Sequence, residues 1–438
     1  MGGGKTTAAI NMINGDTGKN YVYVTPYKDE VKRIIDKTDG FMKQPRYENG
    51  GTKLDDLHNL LAKGESIVTT HALFLRATPE TVQLIHEGGY TLVLDEALST
   101  LQKYNNVVSE LENKAITGGD VEWLKEEGII EVDEHCRVTW KRSKKQGFHF
   151  SEVEALAAKG CLRCVDNVLF WEYPYEVLTA FEEIFILTYL FEGSQFDSYI
   201  KAYGLGEYQK LSTTKNETGE YMFCSYMDDV EQRKSYAERI HIYEGGLNCI
   251  GEKRNSFSVN WLDRQKSADI KAIRNKMRCY KESVGVPSRD VMWTTIKETR
   301  TKADFYKKFE AQPGFKYIRK LTKEDLDIEE NELKKLRCFV PCNARATNSF
   351  SDRHTLLYLL NRFLDPEVKK YYAYLGYPLN ESLYAKSELL QWIWRSAIRN
   401  GESINLYIPS KRMRYLLYDW LNVQPPDEPR TVECMKAP

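Results

Sequence analysis

The sequence predicts an α/β protein with two parallel-sheet domains in tandem and inserted helical and hairpin segments. Three observations lead there. The chain has 438 residues, too many for one ordinary hydrophobic core and suited to two. Through residues 1–205, short runs of β-branched and aromatic residues alternate with helical patterns, as in a sheet built from β-α-β units. Several of these runs are apolar throughout and stop at a polar residue, the pattern of a strand covered on both faces.

The elements follow in order. "YVYVTP" (21–26) is a short strand ending at proline, and "ESIVTTHALF" (65–74) is a strand followed by a turn. "YTLVLDEA" (90–97) is a buried strand ending in two carboxylates, and "IFILTYLFEGS" (184–194) is another, ending in Thr and Gly. The third and fourth strands enclose an insert at about 100–180. In it, "DVEWLKEEGIIEVDEHCRVTWKRSKK" predicts a helix and then a hairpin with a basic tip. Residues 206–285 are polar and weakly periodic; they are expected to be a connector and an insertion opening a second domain, 206–425. There, "DVMWTTIKETR" (290–300) and "LRCFVPCNARATNSF" (336–350) predict strand-then-loop units. "SELLQWIWRSAIRNG" (387–401) predicts a helix capped by Ser387 and stopped by Gly401. "SINLYIPSKRMRYLLYDWL" predicts a strand, a basic loop and a closing helix, and 426–438 a loose tail.

Composition narrows the function classes. Apolar residues make up 42% and charged residues 29%, a folded globular chain and not a disordered one. The longest strongly apolar stretch, 184–191, is too short to span a bilayer. No charged-then-apolar leader is visible, so a cytoplasmic setting is expected. A net charge of −1 excludes a chain-wide basic field, so any nucleic-acid site must be a local patch. Cys161-Leu-Arg-Cys164, with His135 and Cys136 near in sequence, could hold zinc. The alternative is buried thiols, favoured because evenly spaced ligand pairs are missing.

The chain starts "MGGGKTT", which fits two chemistries. Met-Gly-x-x-x-Thr is an N-myristoylation pattern. Alternatively, Gly2, Gly3 and Gly4 bring backbone N–H groups to phosphate oxygens, Lys5 supplies a point charge, and the Thr6 hydroxyl holds Mg²⁺. Thr7 then opens a helix whose positive end favours the same anion. About 90 residues on, Asp95-Glu96 closes an apolar strand. ATP hydrolysis needs one carboxylate in the Mg²⁺ shell and another to position water; Asp95 suits the first role and Glu96 the second. This pairing selects the phosphate loop over the lipid signal.

With these residues in place, the chain resembles superfamily 2 helicases and translocases of the DEAD/DEAH type, and especially helicases of bacteriophage genomes. "GGGKT" resembles the end of motif I, "VTPYKDEV" motif Ia, "IVTTHALF" the DNA-contact motif that follows, and "VLDEA" motif II. "ILTYLFEG" resembles motif III, but Tyr189 and Leu190 stand where the family has alanine and threonine, so only Thr188 carries over. "NARATNSFSDR" resembles motif V, and "QWIWRSAIRNG" motif VI. The resemblance implies RecA-like domains, ATP and Mg²⁺ as cofactors, and DNA or RNA as partner, with DNA favoured. It implies nucleic-acid contacts from Thr25, Thr69, Thr70 and His71, and from Arg345, Thr347 and Asn348 in the second domain. "KRSKK" (141–145) and "KRMR" (411–414) are candidate basic patches. Gln391, Arg395 and Arg399 are spaced by four, which on a helix places them on one face, each step turning ~40°. Motif VI arginines act on the triphosphate, and Arg399 is the preferred finger. In the family a buried strand and further residues precede Gly2; their absence is expected to weaken ATP binding through added ordering entropy. An ATPase motor that packages or remodels without unwinding, and a catalytically weakened nucleic-acid-binding relic, remain the alternatives.

Overall fold

The computed structural model describes residues 3–26, 28–47, 51–104, 107–109, 114–141, 150–326, 328–343 and 349–426. They form two compact units: 3–225 with 364–380, and 226–363 with the chain from 381 onward.

The first unit is built on a four-stranded parallel sheet. Its strands are β1 (Asn20–Thr25), β2 (Ile67–Thr70), β3 (Tyr90–Asp95) and β4 (Glu183–Leu187), in the order β4-β3-β1-β2. Val22 is level with Ile67 on one side and Leu92 on the other, and Leu92 is level with Ile184. All four strands match the sequence expectation. Both faces of β1, β2 and β3 are covered, as their unbroken apolar runs require; β4, expected to be buried, is an edge strand with Glu183 and Ile184 exposed and only Leu187 buried. Tyr21, Tyr23, Val68 and Val93 pack against Ala9, Ile10 and Ile13 of helix α1 (Lys5–Gly15), while Val22, Val24, Leu92 and Leu94 join the opposite core. The strand order reverses between β1 and β3, a switch point whose carboxyl-end crevice is the usual ligand position in open α/β sheets.

The insert after β3 has its own core of Val121, Leu124, Ile130, Val138, Val153, Leu162 and Leu169. The expected helix and hairpin are present as 118–126 and 130–132 paired with 138–140. The tip differs. The turn is Asp133–Arg137, held by the Asp133 carboxylate, which accepts from the amides of His135 and Arg137. The KRSKK stretch lies after the second strand; Lys141 pairs with Glu131 at 2.5 Å, and 142–145 fall outside the described residues. Cys136, Cys161 and Cys164 are buried, and burial raises all three thiols, Cys136 to about 11. No group of three metal-ligating side chains occurs among the described residues; a buried thiol packs as a small apolar group.

Two segments belong to the first unit against expectation. The antiparallel hairpin β5 (Leu211–Lys215) and β6 (Tyr221–Ser225), assigned from sequence to the second domain, packs on α1. Helix α2 (Pro366–Tyr374) brings Val368, Tyr371 and Tyr372 into the first unit's core. Tyr371 donates to Glu172 at 2.9 Å, and Glu172 pairs with Arg163 at 2.7 Å, both side chains being buried.

The second unit is a parallel sheet of β7 (Ile240–Ile242), β8 (Val291–Thr294), β9 (Thr355–Tyr358) and β10 (Ile404–Tyr407), in the order β7-β10-β9-β8. Strands β8 and β10 were expected; β7 and β9 were not singled out. Among its described residues the 336–350 segment contributes two isolated bridges, Phe339 to Trp293 and Arg337 to Tyr317, instead of a full strand. Helix α3 (Glu381–Ile393) starts before Ser387, and helix α4 (Lys411–Leu421) closes the described chain with Ser410 as its cap. The tail from 427 lies outside the described residues. The two parallel sheets and their inserts are the tandem α/β organisation the sequence predicts.

Candidate functional site

The first unit gathers its candidate chemistry at the carboxyl edge of its sheet. Gly4 caps α1 with φ 75°, a left-handed conformation that favours glycine, and among the described residues no side chain caps the helix. The first-turn N–H groups are thus left to another acceptor. Gly2 lies outside the described residues. Gly3 and Thr7 are exposed, and Lys5 and Thr6 are half-buried in the first turn.

Lys5 meets three groups. Burial lowers its pKa, and the nearby Glu96 and Asp95 carboxylates oppose that shift. Its Nζ also sits 5.9 Å from the centre of the Tyr189 ring, a cation–π contact. Sequence reading treated Tyr189 only as a departure from motif III; the ring is the part of the lysine's setting it missed. Asp95, at the end of β3, has its carboxyl raised to about 7 by burial and by Glu96 and Glu30, against the pull of Arg33 and Lys5. Glu96 follows with φ 66°, an uncommon conformation for a residue with a Cβ. Its amide donates to Leu187 O at 3.4 Å.

Beneath this cluster, the Tyr23 hydroxyl is fully buried and finds no hydrogen-bond partner among the described residues. Burial and Asp95 push the phenol well above its ordinary range; Thr6 offsets a little of this without a bond of good geometry. An unsatisfied buried hydroxyl and a crowded carboxyl pair suit a hydrated divalent cation, whose charge would return Asp95 to its ionised form. Thr6 and Asp95 both lie beside Tyr23, so the side chains present are compatible with Mg²⁺ at this point.

The nucleic-acid candidates of the first unit divide. Thr25 is 0% exposed and Thr69 3%, so neither hydroxyl reaches solvent, and Thr25 Oγ1 is unpartnered among the described residues. This corrects the expectation for both: the strand ends stay inside the covered sheet. Thr70 and His71 are half-buried, and His71 Nε2 lies 3.0 Å from Asp95 O, a structural tie to the β3 end.

In the second unit, the motif VI helix ends at Ile393. Ser396 is extended, its hydroxyl donates to Ile393 O at 2.7 Å, and a short 3₁₀ turn, Ala397–Asn400, follows. The expected shared face of Gln391, Arg395 and Arg399 is therefore not formed. Gln391 donates to Ser387 Oγ at 3.3 Å. Arg395 is 4% exposed and donates to Pro341 O at 3.4 Å, whereas Arg399 is exposed. Arg345, Thr347 and Asn348 lie outside the described residues. Arg362, not anticipated from sequence, pairs with Glu388 at 3.0 Å and, like Arg395, draws on Cys342 electrostatically at the base of that segment. Trp392 and Trp394 are packing anchors: Trp392 Nε1 donates to Val340 O at 3.0 Å, and Trp394 stands edge-on to Tyr236 and Trp420. The KRMR patch is also structural. Arg414 is buried, bonded to Glu244 at 3.0 Å and to Ile408 and Pro409 carbonyls, and Arg412 stacks on Phe363.

Among known proteins, the SPbeta prophage-derived uncharacterized protein YonV of Bacillus subtilis (strain 168) is 35% identical over 434 residues, covering 97% of each chain. The chain belongs to the YonV family. Residues 234–421 match the family described as the YonV C-terminal Rossmann-like domain, which accounts for most of the second unit. Among solved structures, XPD_APO and XPD_Helicase each give a TM-score of 0.48, at 13% and 12% identity, over 96% of this chain and 94% of theirs. The structure of S. tokodaii Xpd4 gives 0.43 at 11% identity, over 96% and 92%. Likenesses this loose carry no argument about activity. Among the described residues no helix is long and apolar enough to cross a membrane.

Proposed function

We propose that this protein is an ATP-dependent nucleic-acid motor, a helicase or translocase on DNA or RNA, with DNA favoured. The supporting observation is the convergence of Lys5 with Asp95 and Glu96, remote in sequence and mutually coupled at one sheet edge. In this reading the Gly2–Gly4 backbone and Lys5 hold the β- and γ-phosphates, Thr6 and Asp95 hold Mg²⁺, and Glu96 orients the attacking water. Bound Mg²⁺ would supply charge neutralisation at the phosphate oxygens. Left-handed Gly4 opens α1 without a side-chain cap, and Glu96 and Asp95 favour the charged form of Lys5 against its burial, with the Tyr189 ring 5.9 Å from Nζ. Of the three motif VI residues, Arg399 is the one whose guanidinium is exposed and therefore the one assigned to act on phosphate, while Arg395 and Gln391 are held within their own unit. Thr70, His71, Arg345, Thr347 and Asn348 are assigned to nucleic-acid backbone contacts, which position without reading sequence. The YonV relative is described as prophage-derived, which supports a phage setting; the role assigned to the motor there is replication or recombination in the host cytoplasm.

The test is an ATPase assay with single-stranded and duplex DNA and RNA in parallel. Turnover should rise with nucleic acid. Lys5→Ala and Glu96→Gln should each abolish it, and Glu96→Gln should still bind ATP. Turnover surviving both substitutions would show the site is elsewhere.

A further inference from the structure

Hairpin β5–β6 lies on the glycine loop. The Thr213 hydroxyl donates to Gly3 O. The Tyr221 ring fills the space a Cβ would need at Gly4, where its Cγ would be only 2.6 Å away. Further along α1, Asn11 Nδ2 donates to Tyr221 O at 2.9 Å, and Phe223 stacks on Phe185 of β4 at 5.8 Å. One face of the hairpin thus holds the loop, the helix it opens and the strand beside it. The rest of the hairpin is weakly held. None of its ten residues is fully buried, and a two-stranded ribbon is marginal by itself. An open groove of about 480 Å³ runs between α1 and the hairpin, lined by Met12, Phe185, Tyr221 and Phe223. Its last residue, Ser225, is also the last of the first unit before the chain enters the second at Tyr226.

We propose that this hairpin is a latch: Thr213 and Tyr221 are positioning residues that hold Gly3–Gly4 in the phosphate-accepting shape, and loop occupancy is read out as hairpin docking next to the 225–226 crossing. The inference rests on the nucleotide reading of the loop. The sign follows from the geometry. The docked hairpin holds Gly4 left-handed with the α1 amides uncapped, which is the shape a phosphate wants, so ligand and latch favour each other. Linkage makes the effect reciprocal: the factor by which nucleotide stabilises the docked hairpin is the factor by which the docked hairpin tightens nucleotide.

The experiment measures amide hydrogen exchange across 211–225, with and without the slowly hydrolysed analogue ATPγS and Mg²⁺, and the analogue's Kd in Tyr221→Ala, Tyr221→Phe and Thr213→Val. ATPγS should slow exchange in the hairpin by about 5-fold or more, within the usual range of such coupling. Tyr221→Ala should weaken binding by a similar factor, Thr213→Val by less, and Tyr221→Phe, which keeps the ring, should bind like wild type. If ATPγS binds in a Lys5-dependent manner but hairpin exchange stays within twofold, or accelerates, the latch is wrong and the nucleotide site stands. If ATPγS does not bind at all, both fall. Should Tyr221→Ala fail to fold, the wild-type exchange data still decide.

Discussion

Replacing Gly4 with alanine tests the loop and its cover together. A Cβ residue held at φ 75° costs ~1–2 kcal/mol relative to glycine. The new Cβ would also meet the Tyr221 ring inside normal contact distance, so the ring must leave. That loosens the Thr213 bond to Gly3 O, worth ~1 kcal/mol net, with some loss of packing besides. The sum is about 2–4 kcal/mol, which for a unit of this size lowers Tm by roughly 5–15 °C. The assay is thermal and urea unfolding of Gly4→Ala, Tyr221→Ala and the double variant. With the ring already gone, Gly4→Ala should cost only the backbone term, so the cycle should show a coupling of about 1 kcal/mol or more. Equal costs for Gly4→Ala in both backgrounds would refute the contact and the reasoning built on it.

Other expectations concern charge and burial. Asp95, with its carboxyl raised to about 7 from an ordinary 3.8, holds a proton in the folded state that the unfolded chain has released. Between about pH 4 and 7 the folded form binds more protons, so this residue makes stability fall as pH rises. Asp95→Asn should therefore stabilise at pH 8 and have little effect at pH 4; urea midpoints giving the same gain at both would contradict this. Glu172→Ala strands buried Arg163 and removes the acceptor for Tyr371, so it should cost ~3–5 kcal/mol in urea unfolding; a cost below about 1 would mean the pair is not closed. Arg414→Ala should destabilise the second unit by ~3–5 kcal/mol without changing the salt dependence of DNA binding, since the guanidinium already serves Glu244 and two carbonyls; an altered salt slope with unchanged stability would restore KRMR as a phosphate contact.

The first sheet was legible because β1, β2 and β3 are parallel and covered on both faces, so each reads as an unbroken apolar run; β4 carries such a run too, yet it lies at the sheet edge with Ile184 exposed. Asp95-Glu96 was legible because such a run ends there in two acids. β7 is only three residues long and offers no period to read. The motif VI helix misled because spacing by four implies one face only while the helix lasts. Ser396 offers its hydroxyl to Ile393 O and the backbone turns extended, a local competition that residue spacing does not display. Thr25 and Thr69 misled differently: a hydroxyl at a strand end is polar in the sequence whether the strand stops at the surface or beneath it.

By itself, the amino-acid order determined two α/β sheets, a glycine-lysine loop opening a helix, and a carboxylate pair closing a strand, because each is written in neighbouring residues through backbone sterics and the alternation of apolar and polar side chains. Only the tertiary structure decided that Tyr189 faces Lys5, that a hairpin more than 200 residues away covers Gly3 and Gly4, and that α2 crosses into the first unit's core. Those contacts join residues with no local pattern in common. They exist because folding closes long loops to bury rings and pair charges.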